Sequence, residues 1–215
     1  MVAIKTTAQT SAQTTAQADA QTAQIKITLR YLEPEIWRRV LVPHDITLPR
    51  LHDVIQIVMG WTNSHMHNFA TETATYETFF DDDAELGFGQ DFPGAPKRLD
   101  RTKYRLSDLL AKPKAKCVYT YDFGDDWEHD IVLEKLLPAD KRLDHAEVGA
   151  GENACPPDDC GGMDGYCDLV EILLDPKHPE HNERREWLGL KKGEKFDPYR
   201  CDIAAANAGL RRLKV

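Results

Sequence analysis

The sequence predicts an α+β fold: a largely antiparallel sheet with helices packed on one face, and a helical C-terminal third. Three observations lead there. Short runs in which apolar and polar residues alternate dominate as far as Leu133; a turn of residues that tolerate left-handed backbone angles joins two of those runs; and helical spacing takes over after Gly165. Strands first and helices last is the pattern of helices laid against a sheet.

The alternation begins at Gln24. Ile25, Ile27 and Leu29 fall on one side of a strand and Lys26, Thr28 and Arg30 on the other. Glu33-Pro34 breaks it, and Ile36 to Val42 forms a second strand in which Trp37 and Arg39 face away from Ile36, Arg38 and Val40, so a hairpin is the simplest link. Leu48 to Met59 places Leu48, Leu51, Ile55 and Val58 at helical spacing, with Pro49 in the first turn and Gly60 after the last. His65 to Thr71 alternates again; acidic and Gly/Pro-rich stretches around residues 81–83 and 87–96 mark loops; and Ser107 can cap a short turn through Leu110. Cys117–Tyr121 and Trp127–Leu133 are strands joined through Phe123-Gly124-Asp125-Asp126. Helices are expected at Tyr166–Leu174, Pro179–Leu188 and Ile203–Leu213, the last started by Asp202, with Asp164 a plausible N-cap for the first.

Composition bounds the function. The chain has 215 residues, 41% hydrophobic and 29% charged, enough apolar surface for a core and enough charge to keep it dissolved. Residues 1–23, mostly Thr, Ala and Gln, read as a disordered low-complexity tail, with an Ala-rich docking helix as the alternative; residues 24–215 read as a single domain. No apolar run is long enough to cross a bilayer and no basic-then-apolar leader is present, so neither membrane spanning nor secretion is expected. Lys plus Arg number 27 against 36 Asp plus Glu, a net charge of −9 that makes nucleic acid an unfavoured partner. Five cysteines, an odd count in a chain this long, fit a reducing cytoplasmic setting. Phosphate-cradling glycine motifs, a GxSxG elbow and internal repeats are lacking.

Three segments carry chemistry. In Trp61–Phe69, His65 and His67 lie two apart in an expected strand, which puts both imidazoles on one face, where they can grip one metal ion or simply serve as hydrogen-bonded polar groups. In the hairpin Tyr121–His129, His129 shares a face with Trp127, Ile131 and Leu133 and looks inward, either as a satisfied core histidine bonded to a carboxylate or backbone carbonyl or as a metal ligand. The loop Cys155-Pro156-Pro157-Asp158-Asp159-Cys160-Gly161-Gly162 is stiffened by prolines and presents two carboxylates, which either cap backbone donors, pair with Arg38 or Arg39, or ligate. Its cysteine spacing is poor for a thiolate zinc site. Together His65, His67, His129 and Asp159 offer the nitrogen and oxygen donors that suit zinc, manganese or iron. In a hydrolase built on such an ion, Asp158 or Asp159 acts as base and Arg38 or Arg39 holds the substrate's negative charge.

These motifs, Ile36-Trp37-Arg38-Arg39-Val40, Gly60-Trp61 to Phe69, Tyr121-Asp122-Phe123-Gly124-Asp125 to His129, and Cys155 to Tyr166, resemble in order the plasmid pRiA4b ORF-3-like family, over residues 24 to 213. The resemblance implies a single α+β domain without an established biochemical activity, sometimes encoded on plasmids or carried by insertion elements under a resolvase-like label. The family pattern commonly has Glu where this chain has Asp158. A serine recombinase would need a nucleophilic serine among arginines and a basic DNA-binding end, which this acidic chain does not display. The leading expectation is a cytoplasmic accessory module that binds a protein or small ligand. A metal-dependent phosphoester hydrolase and a mobile-element DNA accessory protein are the alternatives.

Overall fold

Period-two burial folds Thr22–Leu29 (β1) and Ile36–Pro43 (β2) into an antiparallel hairpin, Leu29 opposite Ile36. The computed structural model describes residues 21–79, 94–138, 143 and 145–213. The remaining strands are β3 (His67–Ala70), β4 (Ala74–Glu77), β5 (Lys97–Asp100), β6 (Lys116–Tyr121), β7 (Trp127–Leu137) and β8 (Glu147–Glu152). They join one sheet in the order β5-β4-β3-β6-β7-β1-β2-β8, antiparallel throughout except for the β4–β5 pair.

One face of the sheet carries Ile25, Ile27, Leu29, Phe69, Tyr119, Tyr121 and Ile131, all buried. The helix α1 (Leu48–Met59) lies over it, closed by Gly60 in the left-handed region, where a residue without Cβ is unstrained. Arg38 Nε donates to the Val58 carbonyl at 3.0 Å, and Gln56 Nε2 to the Tyr119 hydroxyl at 3.1 Å, which fixes the helix on the strands. The opposite face is a lattice of ion pairs, Arg30 with Glu128 and Asp130 and Arg39 with Glu134, with Trp37 between the Lys26 and Arg39 cations. Partly exposed pairs of this kind contribute little each.

Among the described residues the α-helices are α1, α2 (Leu106–Leu109), α3 (Gly162–Leu174), α4 (His181–Trp187) and α5 (Ile203–Leu210), with a 3-10 turn at Arg101–Lys103. The fold is therefore mixed α+β with a large, mostly antiparallel sheet, but its helices are not gathered into the C-terminal third. Helices α1 and α2 are interleaved with strands, and β8 enters the sheet after the last expected strand. That strand, Glu147-Val-Gly-Ala-Gly-Glu, has a single large apolar residue and two glycines, so no local pattern announces it. It exists because β2 pairs with it and because Asn207 of α5 grips its free edge, bonding the Val148 N–H at 2.8 Å and the Val148 carbonyl at 3.0 Å.

Other boundaries differ for physical reasons. Strand β1 starts two residues before the end of the expected tail, with Thr22 and Ala23 fully buried; the register shift at Gln24/Ile25 breaks the alternation there. Helix α3 starts at Gly162 from a left-handed Gly161, not from an Asp164 cap, because the glycine pair turns the loop directly into the helix. Arg105 rather than Ser107 flanks the start of α2. Asp202 caps α5 through the Ala205 N–H, as expected. The first 20 residues of the expected tail, and most of the 81–96 loops, lie outside the described residues.

Candidate metal centre

The paired strands β3 and β6 set His67 opposite Tyr121, so the residues just before one and just after the other share an end of the sheet. There Asp122 donates its N–H to the Met66 carbonyl at 2.9 Å and takes a left-handed backbone, φ 57°. Its Oδ1 accepts from Gly124 N at 2.9 Å, closing the turn and leaving Oδ2 directed at His65 Nε2, 3.5 Å away.

The proline loop supplies the third group. Trp61 Nε1 donates to the Pro156 carbonyl at 2.9 Å, Thr62 donates through N and Oγ1 to Asp158 Oδ2 at 2.9 and 2.7 Å, and Gly161 N donates to Asp125 Oδ2 at 3.2 Å. These bonds tie the loop to both neighbouring turns. Asp159, left-handed at φ 60°, then places Oδ1 3.1 Å from His65 Nε2. One donor atom each from His65, Asp122 and Asp159 lie within 4.8 Å of one another. His65 Nε2 is itself buried without a hydrogen-bond partner, whereas the Asp159 side chain is 69% exposed. One imidazole and two carboxylates, open on one side, form a donor set for a zinc-, manganese- or iron-class ion with coordination positions to spare.

Of the residues expected to ligate, the structure brings His65 and Asp159 together and places His67 and His129 inside the protein. Strand β3 begins only at His67, so His65 lies in the preceding bend and period-two geometry does not relate the two rings. His67 stacks on His52 of α1, ring centroids 3.4 Å apart and planes within 5°. Burial, helped by the nearby His52 and Arg101, drives its pKa down to about 2. His129 does face inward, as its alternation predicts. It is fully buried between Trp61 and Tyr119, its Nδ1 3.2 Å from the Tyr119 carbonyl, and burial lowers its pKa to about 4. Both rings are core groups.

Neither arginine reaches the acid loop. Arg38 is buried and its guanidinium serves the Val58, Trp37 and Glu152 carbonyls. Arg39 points to the other face of the sheet, where Glu134 holds it through two bonds. Asp158 is a loop fastener through Thr62, and its Oδ1 is buried without a partner. Asp122 is the donor group beside His65 that the sequence pattern did not single out. Its signal was the strand-ending Asp-Phe-Gly-Asp turn, which reads as turn chemistry until the proline loop is seen packed against it.

The fold and site define an α+β domain with a histidine–carboxylate cluster at one end of its sheet. The chain belongs to the family described as plasmid pRiA4b ORF-3-like protein, whose profile matches residues 21–205. It is 37% identical over 188 residues to "Uncharacterized protein y4hQ" of Sinorhizobium fredii (strain NBRC 101917 / NGR234), covering 86% of this chain and 85% of that one. Among solved structures it is similar to a protein of unknown function, MM3350 from Methanosarcina mazei Go1, with TM-score 0.70 and 30% identity over 86% of this chain and 97% of that one.

Proposed function

We propose that the chain is a ligand-binding accessory module whose bound group is a divalent cation, zinc or manganese by donor type, held by His65, Asp122 and Asp159. The observation that carries this reading is the approach of three donor atoms from three separate segments to within 4.8 Å, around an imidazole nitrogen that is buried and otherwise unpartnered. The three protein donors leave coordination positions for a small molecule or a partner side chain. Met66, Phe123 and Met163, exposed in the same three segments or just beyond them, supply an apolar fringe suited to such a partner. The five cysteines, none in a disulfide, support a cytoplasmic setting. A phosphoester hydrolase is less well supported, because the arginines that would hold its substrate are engaged elsewhere. A DNA accessory role is disfavoured by the net charge of −9.

Elemental analysis of the full chain, followed by calorimetric titration with manganese and zinc, tests the reading. One ion per chain is expected, with binding abolished in Asp159→Asn. Failure of wild type to take up either ion, or equal uptake by the variant, removes the proposal.

A further inference from the structure

Away from that centre, the sheet lines up a second set of polar groups. Phe69 and Tyr76 form the last pair of the β3–β4 ladder, and His67 and Thr78 each lie two residues beyond it. Glu77 lies beside Asp100, so the β4–β5 register carried on one residue sets Thr78 beside Arg101. Continued past those pairs, the two ladders bring Arg101, Thr78 and His67 into a row beside Tyr121 of β6, with Arg101 near enough to His67 to help keep it neutral. Arg101 Nε donates to Thr78 Oγ1 at 2.8 Å, which holds the guanidinium over the middle of the row.

Two donors along this row have nothing to bond. Among the described residues, Arg101 Nη1 and His67 Nε2 are buried and lack hydrogen-bond partners. His67 is only 8% exposed, and its ring is clamped by the stacked His52, which is itself held by Asn63 Oδ1 at 2.6 Å and the Tyr119 hydroxyl at 2.8 Å. Leaving buried donors unpaired is costly, and a cationic guanidinium most of all. Thr78 accepts from Arg101 and so has its own hydroxyl hydrogen to give. With the His67 proton on Nε2, the row presents three donors, one of them positively charged, and acceptors are what it lacks.

We propose that Arg101, Thr78 and His67 form a binding site for a small tetrahedral oxyanion of the phosphate or sulfate class, with Arg101 Nη1, Thr78 Oγ1 and His67 Nε2 donating to it. This site is independent of the cation centre: it shares no residue with His65, Asp122 and Asp159.

The experiment titrates the full chain with inorganic phosphate at constant ionic strength, following heat and the histidine-ring nitrogens by NMR, and repeats the titration with phenyl phosphate. Saturable one-to-one binding is expected, with the His67 Nε2 resonance moving on binding. Affinity is expected to fall about tenfold in Arg101→Gln, less in Thr78→Val, and to be largely retained in Arg101→Lys. Binding of inorganic phosphate alone assigns the site to the free ion; tighter binding of phenyl phosphate assigns it to the phosphoryl end of a larger molecule; both uphold the site. Lack of saturation by about 20 mM of either probe, a weakness far beyond ordinary site affinities, overturns it. So does a silent His67 ring, as expected if a water alone bridges the donors, or equal binding by a folded Arg101→Gln.

Discussion

His65 and His67 are two residues apart, yet they belong to different chemical worlds. His65 stands in a bend at the protein's edge against two carboxylates. His67 opens a strand beneath α1 and stacks on another imidazole. The first is surrounded by groups that favour a cation; the second is held neutral by burial. What separates them is the point at which the strand begins, so ligand chemistry here depends on backbone state more than on residue type or spacing.

The contrast breaks most sharply by substitution. His65→Ala is expected to weaken manganese binding on the order of 100-fold in calorimetry, while stability in urea changes by less than about 0.5 kcal/mol. His129→Ala should do the opposite: about 3 kcal/mol of stability lost to a cavity between Trp61 and Tyr119, with ion affinity of the folded fraction kept. If His129→Ala abolishes ion binding at a temperature where it remains folded, the division between core and centre is wrong.

Acid sharpens the same comparison. The pKa values of His67 and His129 are lowered in the folded state, to about 2 and about 4, from an unfolded value of 6.5. Below pH 6.5 the unfolded chain therefore takes up protons that the folded one refuses, so stability is full above that pH and falls as pH drops. Each ring contributes a slope approaching about 1.4 kcal/mol per pH unit, the His129 share levelling off near pH 4 and the His67 share continuing lower. Urea titrations between pH 7 and 4.5 read this directly. A flat profile over that interval would mean that the rings are solvated.

Smaller effects map the coupling of the loop to the centre. Gly162 has φ 68°, and a Cβ there would lie 2.9 Å from the Asp125 carbonyl oxygen, so Gly162→Ala should cost about 2 kcal/mol. It should also loosen ion binding, because the same turn is bonded to the Asp159 loop. Asn207→Ala, at the far edge of the sheet, is expected to cost about 1 kcal/mol in the same assay and leave ion affinity untouched.

Much of this architecture was legible in particular residues. The alternation of Ile25, Ile27 and Leu29, the Pro49 and Gly60 brackets of α1 and the Asp202 cap each act within a few positions, so the local pattern and the folded structure agree. Strands β4 and β5 escaped because each is only four residues long, and β8 because its glycine-rich sequence has no strand pattern and it owes its place to β2, distant in sequence. The centre was half legible: the histidine-bearing segment, the glycine turn and the acid loop could be named, but not which atoms in them meet. Arg38 and Arg39 were alternative partners for the acid loop, but, facing opposite sides of the sheet as their alternation implies, each found its partners on its own side.

By itself, then, the sequence determined the chemical inventory, the strand and helix seeds, the acidic character and the family to which the chain belongs, because those depend on residue identity and short-range periodicity. Only the tertiary structure decided that Asp122 rather than His67 stands beside His65, and that Arg101, Thr78 and His67 share a row. Such approaches are set by strand register and loop docking between segments tens of residues apart, and no local pattern encodes the distance between two atoms that the fold alone brings together.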